Sequence, residues 1–229
     1  MSDEEGEDLH GVVRAAERKR AAEQLREGGL YPAVSASRRR HDQLFTATLN
    51  ATGETIACAR GCGFCCSFRV AVRADEVFLL VDHLRATREA EAVDRIRQRV
   101  VDVAARFSRM TAERRMRTNA ACALLEDGAC SVYDVRPHTC RAHHAVDVEG
   151  CRLSVEDPER SDILSGSIPA VEVVCSGHGD GLVDALEELG LDVEVYEMNA
   201  ALAAALTDEA PRRRYVAGEA AFPGARFDD

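Results

Sequence analysis

Residues 58–66 read Cys58-Ala59-Arg60-Gly61-Cys62-Gly63-Phe64-Cys65-Cys66, four thiols within one short stretch. Neither a helical nor a strand period runs through the surrounding segment from Thr55 to Phe68. Gly63 relieves the steric cost of a tight turn, and two residues between Cys62 and Cys65 suit chelation by both sulfurs. The segment therefore reads as a metal loop, and the fold is expected to be built around it. Cys65 and Cys66 are neighbours whose side chains tend to diverge. Such a pair suits a polynuclear cluster or two nearby metals better than one tetrahedral ion.

Cysteine returns between Asn119 and Cys151. In Cys122-Ala-Leu-Leu-Glu-Asp-Gly-Ala-Cys130-Ser-Val-Tyr133, two short apolar runs flank Asp127-Gly128, a dipeptide suited to a hairpin turn. That hairpin would bring Cys122 and Cys130 together. Pro137 then imposes a turn before Cys140, His143 and His144. The metal ligands expected from these blocks are Cys58, Cys62, Cys65, Cys66, Cys122, Cys130, Cys140 and Cys151. Cys175 is balanced between ligand and buried apolar residue. His143, His144 and His138 are weaker candidates, since a histidine near a metal is as often an outer partner as a ligand. Arg136 and Arg141 beside Cys140 would either offset thiolate charge or pair with carboxylates elsewhere, and Tyr133 reads as a packing residue. Soft thiolates favour zinc, cuprous ion or iron–sulfur clusters over magnesium or calcium.

Cys58-x3-Cys62-x2-Cys65-Cys66, followed by Cys122-Ala-Leu-Leu and Gly128-Ala-Cys130-Ser-Val-Tyr133-Asp-Val-Arg136-Pro137-x2-Cys140-Arg141, resembles the YkgJ-type cysteine cluster family, a zinc- or iron-chelating domain. The likeness spans about Cys58 to Cys151. Ala123 departs from it, because the family usually places proline directly after that cysteine. The resemblance implies metal binding without a general biochemical activity. A related cysteine pattern occurs in flagellin lysine N-methylases. Cys58-x3-Cys62-x2-Cys65 also equals the three-cysteine spacing of radical S-adenosylmethionine enzymes, but no succession of strand and helix pairs supports their barrel.

Helical periods surround the cysteines. Residues from about Glu7 to Glu27 form a mixed-charge surface helix ending at Gly28-Gly29. Pro32 opens a second helix, with Val34, His41, Leu44, Phe45 and Leu49 inward and Gly53 as its break. Phe68, Val70 and Val72 alternate as a short strand. Asp75 helps to start a helix bearing Val77, Leu80, Val81 and Leu84. Val93, Ile96, Val100, Val103, Phe107 and Met110 recur at steps of three and four and belong to the core. Ser176-Gly177-His178-Gly179-Asp180-Gly181 reads as a glycine-rich turn able to cradle an anion. Leu182, Leu186 and Leu189 mark one later helix, Val195, Met198, Leu202 and Leu206 another, and the tail after Pro211 reads as irregular.

The expected class is mainly α: a single helical domain around an irregular cysteine-rich metal-binding centre with a short β-hairpin. Its divisions are residues 1–53, the N-terminal helices; 54–151, the cysteine-cluster domain; and 152–229, C-terminal helices packing on the same unit.

The chain has 229 residues, nearly half of them apolar, so an ordinary core is available without metal. A formal net charge of -11 disfavours nucleic acid as a partner. Arginine supplies nearly all the positive charge, Lys19 being the only lysine. No basic start with an apolar run marks a secretory signal, and no stretch approaches the roughly 18–20 apolar residues of a membrane span. A cytoplasmic, non-membrane protein with metal as its partner is expected. In that compartment nine cysteines point to metal or redox chemistry rather than a disulfide framework. Two alternatives accompany the reading: an iron–sulfur enzyme for S-adenosylmethionine-dependent protein modification, and a thiol redox or metal-stress sensor using Cys65 and Cys66. Whether the protein is an enzyme stays open at this point, because spatial triads are invisible in one sequence.

Overall fold

The computed structural model describes residues 3–160, 162, 163 and 165–227, apart from the side chains of residues 3, 4 and 116. It is mainly α. Helix α1 (Asp3–Gly28) and α2 (Leu30–Thr52) are hinged at Gly29. Helices α3 (Ala74–Thr87), α4 (Ala90–Ser108) and α5 (Ala112–Met116) follow the first cysteine loop, which itself holds one 3₁₀ turn, Phe64–Ser67. Strands β2 (Leu125–Glu126) and β3 (Ala129–Cys130) form the expected hairpin. Helices α6 (His138–Ala142), α7 (Val148–Glu156) and α8 (Pro169–Glu187) come next. Strand β1 (Ala71–Val72) pairs antiparallel with β4 (Tyr196–Glu197), and α9 (Met198–Thr207) and α10 (Ala210–Val216) close the chain. No helix is long and apolar enough to cross a membrane among the described residues.

The largest core joins α3, α4 and α9. Val77, Leu80, Val81, Leu84, Ile96, Val100 and Leu202 are buried there, as the helical periods require. The rings of Phe78, Tyr215 and Phe222 meet at 5.5 Å spacings, and Tyr196 joins Phe222 at 5.1 Å. Cys122, Cys130 and Cys140 pack against the edge of this core, so the thiol region has a rigid floor.

Helices α1 and α8 run in the same direction. His10 meets Asp180, Arg14 meets Asp184 and Arg18 meets Glu188, each pair advancing by four residues. This contact corrects the expectation of a glycine-rich turn at residues 176–181, which lie inside α8. A Cβ at Gly177 would come within 2.6 Å of the His10 carbonyl oxygen, and one at Gly181 within 2.4 Å of that of Arg14. Close backbone approach thus outweighs the helix-propensity cost of these glycines, about 1 kcal/mol each. Two further expectations change. The tail is not wholly irregular, because Pro211 sits in the first turn of α10, where its missing N–H costs nothing. Val195 lies before β4 and is exposed, so the last apolar stripe begins at Met198.

Candidate metal centre

The 3₁₀ turn is tight because Cys66 N–H donates to the Gly63 carbonyl at 3.1 Å and Phe68 N–H to that of Cys65 at 3.3 Å. Its far side is stitched to the second cysteine block. Cys122 N–H donates to the Cys66 carbonyl at 2.7 Å, and Ala120 N–H to that of Ser67 at 3.0 Å. In the hairpin, Asp127 and Gly128 both take positive φ, 50° and 78°, the turn whose twist matches the flanking strands. Leu125 stands opposite Cys130, and the Gly128 carbonyl lies against Gly63 of the metal loop.

Short α6 carries Cys140 and is held from several sides. His138 N–H donates to Glu76 Oε1 at 2.6 Å, and the Thr139 hydroxyl donates to the Ala71 carbonyl at 2.8 Å. The Arg141 guanidinium donates to both Asp42 oxygens, at 2.8 and 2.6 Å, and to the Asp134 carbonyl at 2.8 Å. Glu76 also accepts from Arg73 N–H at 2.9 Å, fixing the start of α3. Neither Asp42 nor Glu76 carries a sequence signal for a role at the site.

These constraints gather seven thiols, those of Cys58, Cys62, Cys65, Cys66, Cys122, Cys130 and Cys140, around one cavity of about 430 Å³. Phe45, Ile56, Leu124 and Met198 supply apolar wall, and Asp42, Arg136 and His143 supply polar wall. Cys151 is outside the lining, on α7, which packs on the 3₁₀ turn; its thiol is close enough to feel those of Cys62 and Cys65. Cys175 is far from the others in character: it is 1% exposed in an apolar cluster with Ile168 and Val171, and burial pushes its thiol up to about 12.

Burial raises the thiols of Cys58, Cys130 and Cys151 and pushes Cys122 up to about 11. Burial first, then the neighbouring thiolates of Cys122, Cys65 and Cys130, drives Cys140 far upward. The Cys66 thiol first, then burial, raises Cys65. Backbone amides oppose this trend: Leu124 at Cys122 and Val132 at Cys130 each lower the thiol two residues before them. Arg136 also favours the thiolates of Cys65 and Cys130. Its guanidinium lies 4.0 Å from the centre of the Tyr133 ring, with Arg60 at 4.9 Å, and it has no carboxylate partner among the described residues. The two arginines beside Cys140 therefore differ, Arg141 being an ion-pair residue and Arg136 a charge facing the thiols.

His143 lines the cavity, and burial lowers its pKa. His144 does not face it: Nδ1 lies 3.0 Å from the Ala142 carbonyl and Nε2 accepts from Ile168 N–H at 2.9 Å, which uses both nitrogens. The His138 ring turns toward His41.

A crowd of mutually repelling thiolates with amide and guanidinium donors behind them suits a soft cation. As the side chains stand, no group of three or more His, Cys, Asp or Glu among the described residues is arranged to hold an ion.

Residues 57–163 match the model of the CxxCxxCC family, whose description is "Putative zinc- or iron-chelating domain". The YkgJ-type resemblance agrees with that match. No curated protein and no solved structure matches the chain significantly.

Proposed function

Taking residues 57–163 as a domain of the zinc- or iron-chelating CxxCxxCC family, we propose that the protein holds zinc or iron through Cys58, Cys62, Cys65, Cys66, Cys122, Cys130 and Cys140. Cys151 is proposed as an outer ligand that reaches the same metal by movement of α7. The observation that carries this reading is the meeting of seven thiols from three chain segments at one cavity. Seven exceeds the four donors of one tetrahedral zinc, which favours a cluster or two ions. In residence, the metal would neutralise the thiolates and tie the loop, the hairpin and α6 together. Binding free energy would thereby become folding free energy. A cytoplasmic setting, where thiols stay reduced, is part of the proposal.

A second reading, an iron–sulfur enzyme, is favoured by one observation. Cys58, Cys62 and Cys65 line the cavity together with apolar residues that leave space beyond an ion. An S-adenosylmethionine requirement belongs to this reading alone. Anaerobic purification followed by metal analysis and an absorption spectrum tests both. At least about one equivalent of zinc or iron per chain supports metal binding, and visible charge-transfer bands assign an iron–sulfur cluster. Less than about a tenth of an equivalent of any transition metal removes the proposal.

A further inference from the structure

Three histidines from separate helices meet behind the α6 wall of the thiol cavity. His41 lies on α2, His138 opens α6 and His178 lies in the glycine-rich part of α8. The His41 ring centre is 4.9 Å from that of His138 and 5.4 Å from that of His178. His41 is 1% exposed and His178 4%. None of the four ring nitrogens of His41 and His178 has a hydrogen-bond partner among the described residues. Buried polar atoms are ordinarily satisfied, so these call for a partner that the chain does not supply.

One of the rings has a carboxylate against it. His178 Nε2 lies 3.2 Å from Glu17 Oε2, and Glu17 is fixed in turn by Arg40 at 2.7 Å. Asp42 Oδ1 stays 3.6 Å from His41 Nδ1, beyond hydrogen-bond reach, because Arg141 holds both Asp42 oxygens. A carboxylate on one imidazole nitrogen orients the ring and leaves the other nitrogen for a metal. Two imidazoles bound to one tetrahedral ion at about 2.0–2.1 Å place their ring centres roughly 5 Å apart, the separation His41 keeps from both neighbours.

We propose that His41, His138 and His178 form a second metal site, separate from the thiol cavity, that takes a divalent cation of borderline softness such as zinc through imidazole nitrogens. The rings now meet edge to face and no three donors converge, so loading turns them about their side-chain bonds. Glu17, Glu76 and Asp42 supply negative charge nearby, set against the guanidiniums of Arg40, Arg73 and Arg141. The inference does not rest on the thiol centre, because its ligands are nitrogen alone.

The test is zinc-edge X-ray absorption of the full chain loaded with excess zinc and desalted. The expected spectrum has an imidazole nitrogen shell whatever the sulfur shell contains. His41→Gln should lose the greater part of that nitrogen shell and about one equivalent of zinc, with sulfur scattering unchanged. His143→Gln, inside the thiol cavity, should leave the nitrogen shell in place. A spectrum of sulfur alone, which would mean that only water fills the histidine cluster, overturns the proposal. So does a nitrogen shell that survives His41→Gln or vanishes with His143→Gln. If His41→Gln fails to fold, His178→Gln carries the same expectation, and a nitrogen shell that survives it overturns the proposal.

Discussion

Glu76 and His138 are joined by a 2.6 Å hydrogen bond from the His138 backbone N–H to Oε1, across 62 residues of sequence. The other Glu76 oxygen accepts from Arg73 N–H, so one buried carboxylate sets both the start of α3 and the start of the helix that delivers Cys140. Burial opposes its charge, yet Arg73 and Arg38 keep its pKa below the ordinary value. Glu76→Ala should cost about 3–5 kcal/mol by leaving two backbone donors and neighbouring arginines uncompensated. Glu76→Gln keeps the volume and one of the two acceptor oxygens, so it should cost less than alanine while still leaving one backbone donor unpaired. Urea denaturation of the two variants checks this, and an alanine variant as stable as the wild type would refute the clamp.

The α1–α8 seam makes an opposed pair of predictions. Gly181→Ala gains helix propensity but brings Cβ within 2.4 Å of the Arg14 carbonyl, so it should destabilise by about 1–3 kcal/mol. Gly11, in α1 with nothing within 4 Å of a Cβ, should instead tolerate alanine with a gain of up to about 1 kcal/mol. Thermal unfolding of both variants measures the signs. Equal effects at the two positions would mean that the helices do not approach as described.

Glycine at the hairpin has a different reason. Gly128 has φ 78°, so Gly128→Val should cost about 1–3 kcal/mol, whereas Gly128→Asn should cost much less. Because Cys130 follows within two residues and the Gly128 carbonyl rests on Gly63, the valine variant should also bind metal more weakly. Competition with a chromophoric chelator reads that loss. Wild-type affinity in Gly128→Val would separate the turn from the site.

Three buried groups, His41, His138 and Glu17, make the stability of the metal-free protein acid-sensitive over overlapping pH ranges. Desolvation, then His138 and His178, lower the folded pKa of His41 to about 3, and desolvation lowers that of the adjoining His138 to about 4, both from about 6.5 in the unfolded chain. The unfolded chain therefore binds the extra protons between those values. Stability should fall as pH drops below about 6.5, with a slope approaching about 1.4 kcal/mol per pH unit for one proton. Glu17 has its folded pKa lowered to about 2: burial raises it, but hydrogen bonds from Arg40 and His178 prevail. Its contribution is present above pH 4.5 and is lost as pH falls through 2. Denaturation across pH 7 to 3 should show a shallower decline in His41→Gln, and an unchanged decline would contradict the assignment.

Much of this was readable in residue patterns. The α4 period buried Ile96, Val100 and Phe107, and Asp127-Gly128 specified its turn, because both depend on local geometry. The glycines at 177–181 misled because their reason lies in α1, some 170 residues away, and Pro211 misled because proline opens a helix as readily as it ends one. Strand β4, only two residues long, has no period to detect. At the site, the cysteines announced themselves by spacing. His41, His138 and His178 did not, since only packing of three helices brings them together. Arg60, between Cys58 and Cys62, was the one overlooked charge with a positional signal.

The central claim is that two cysteine blocks share one metal centre, and metal content of anaerobically purified single variants tests it most directly. Cys130→Ser and Cys140→Ser should each lose metal about as severely as Cys62→Ser, with all three compared at equal folded fraction by circular dichroism. Wild-type metal in Cys130→Ser and Cys140→Ser beside a metal-free Cys62→Ser would contradict the shared centre and confine the metal to the loop from Cys58 to Cys66.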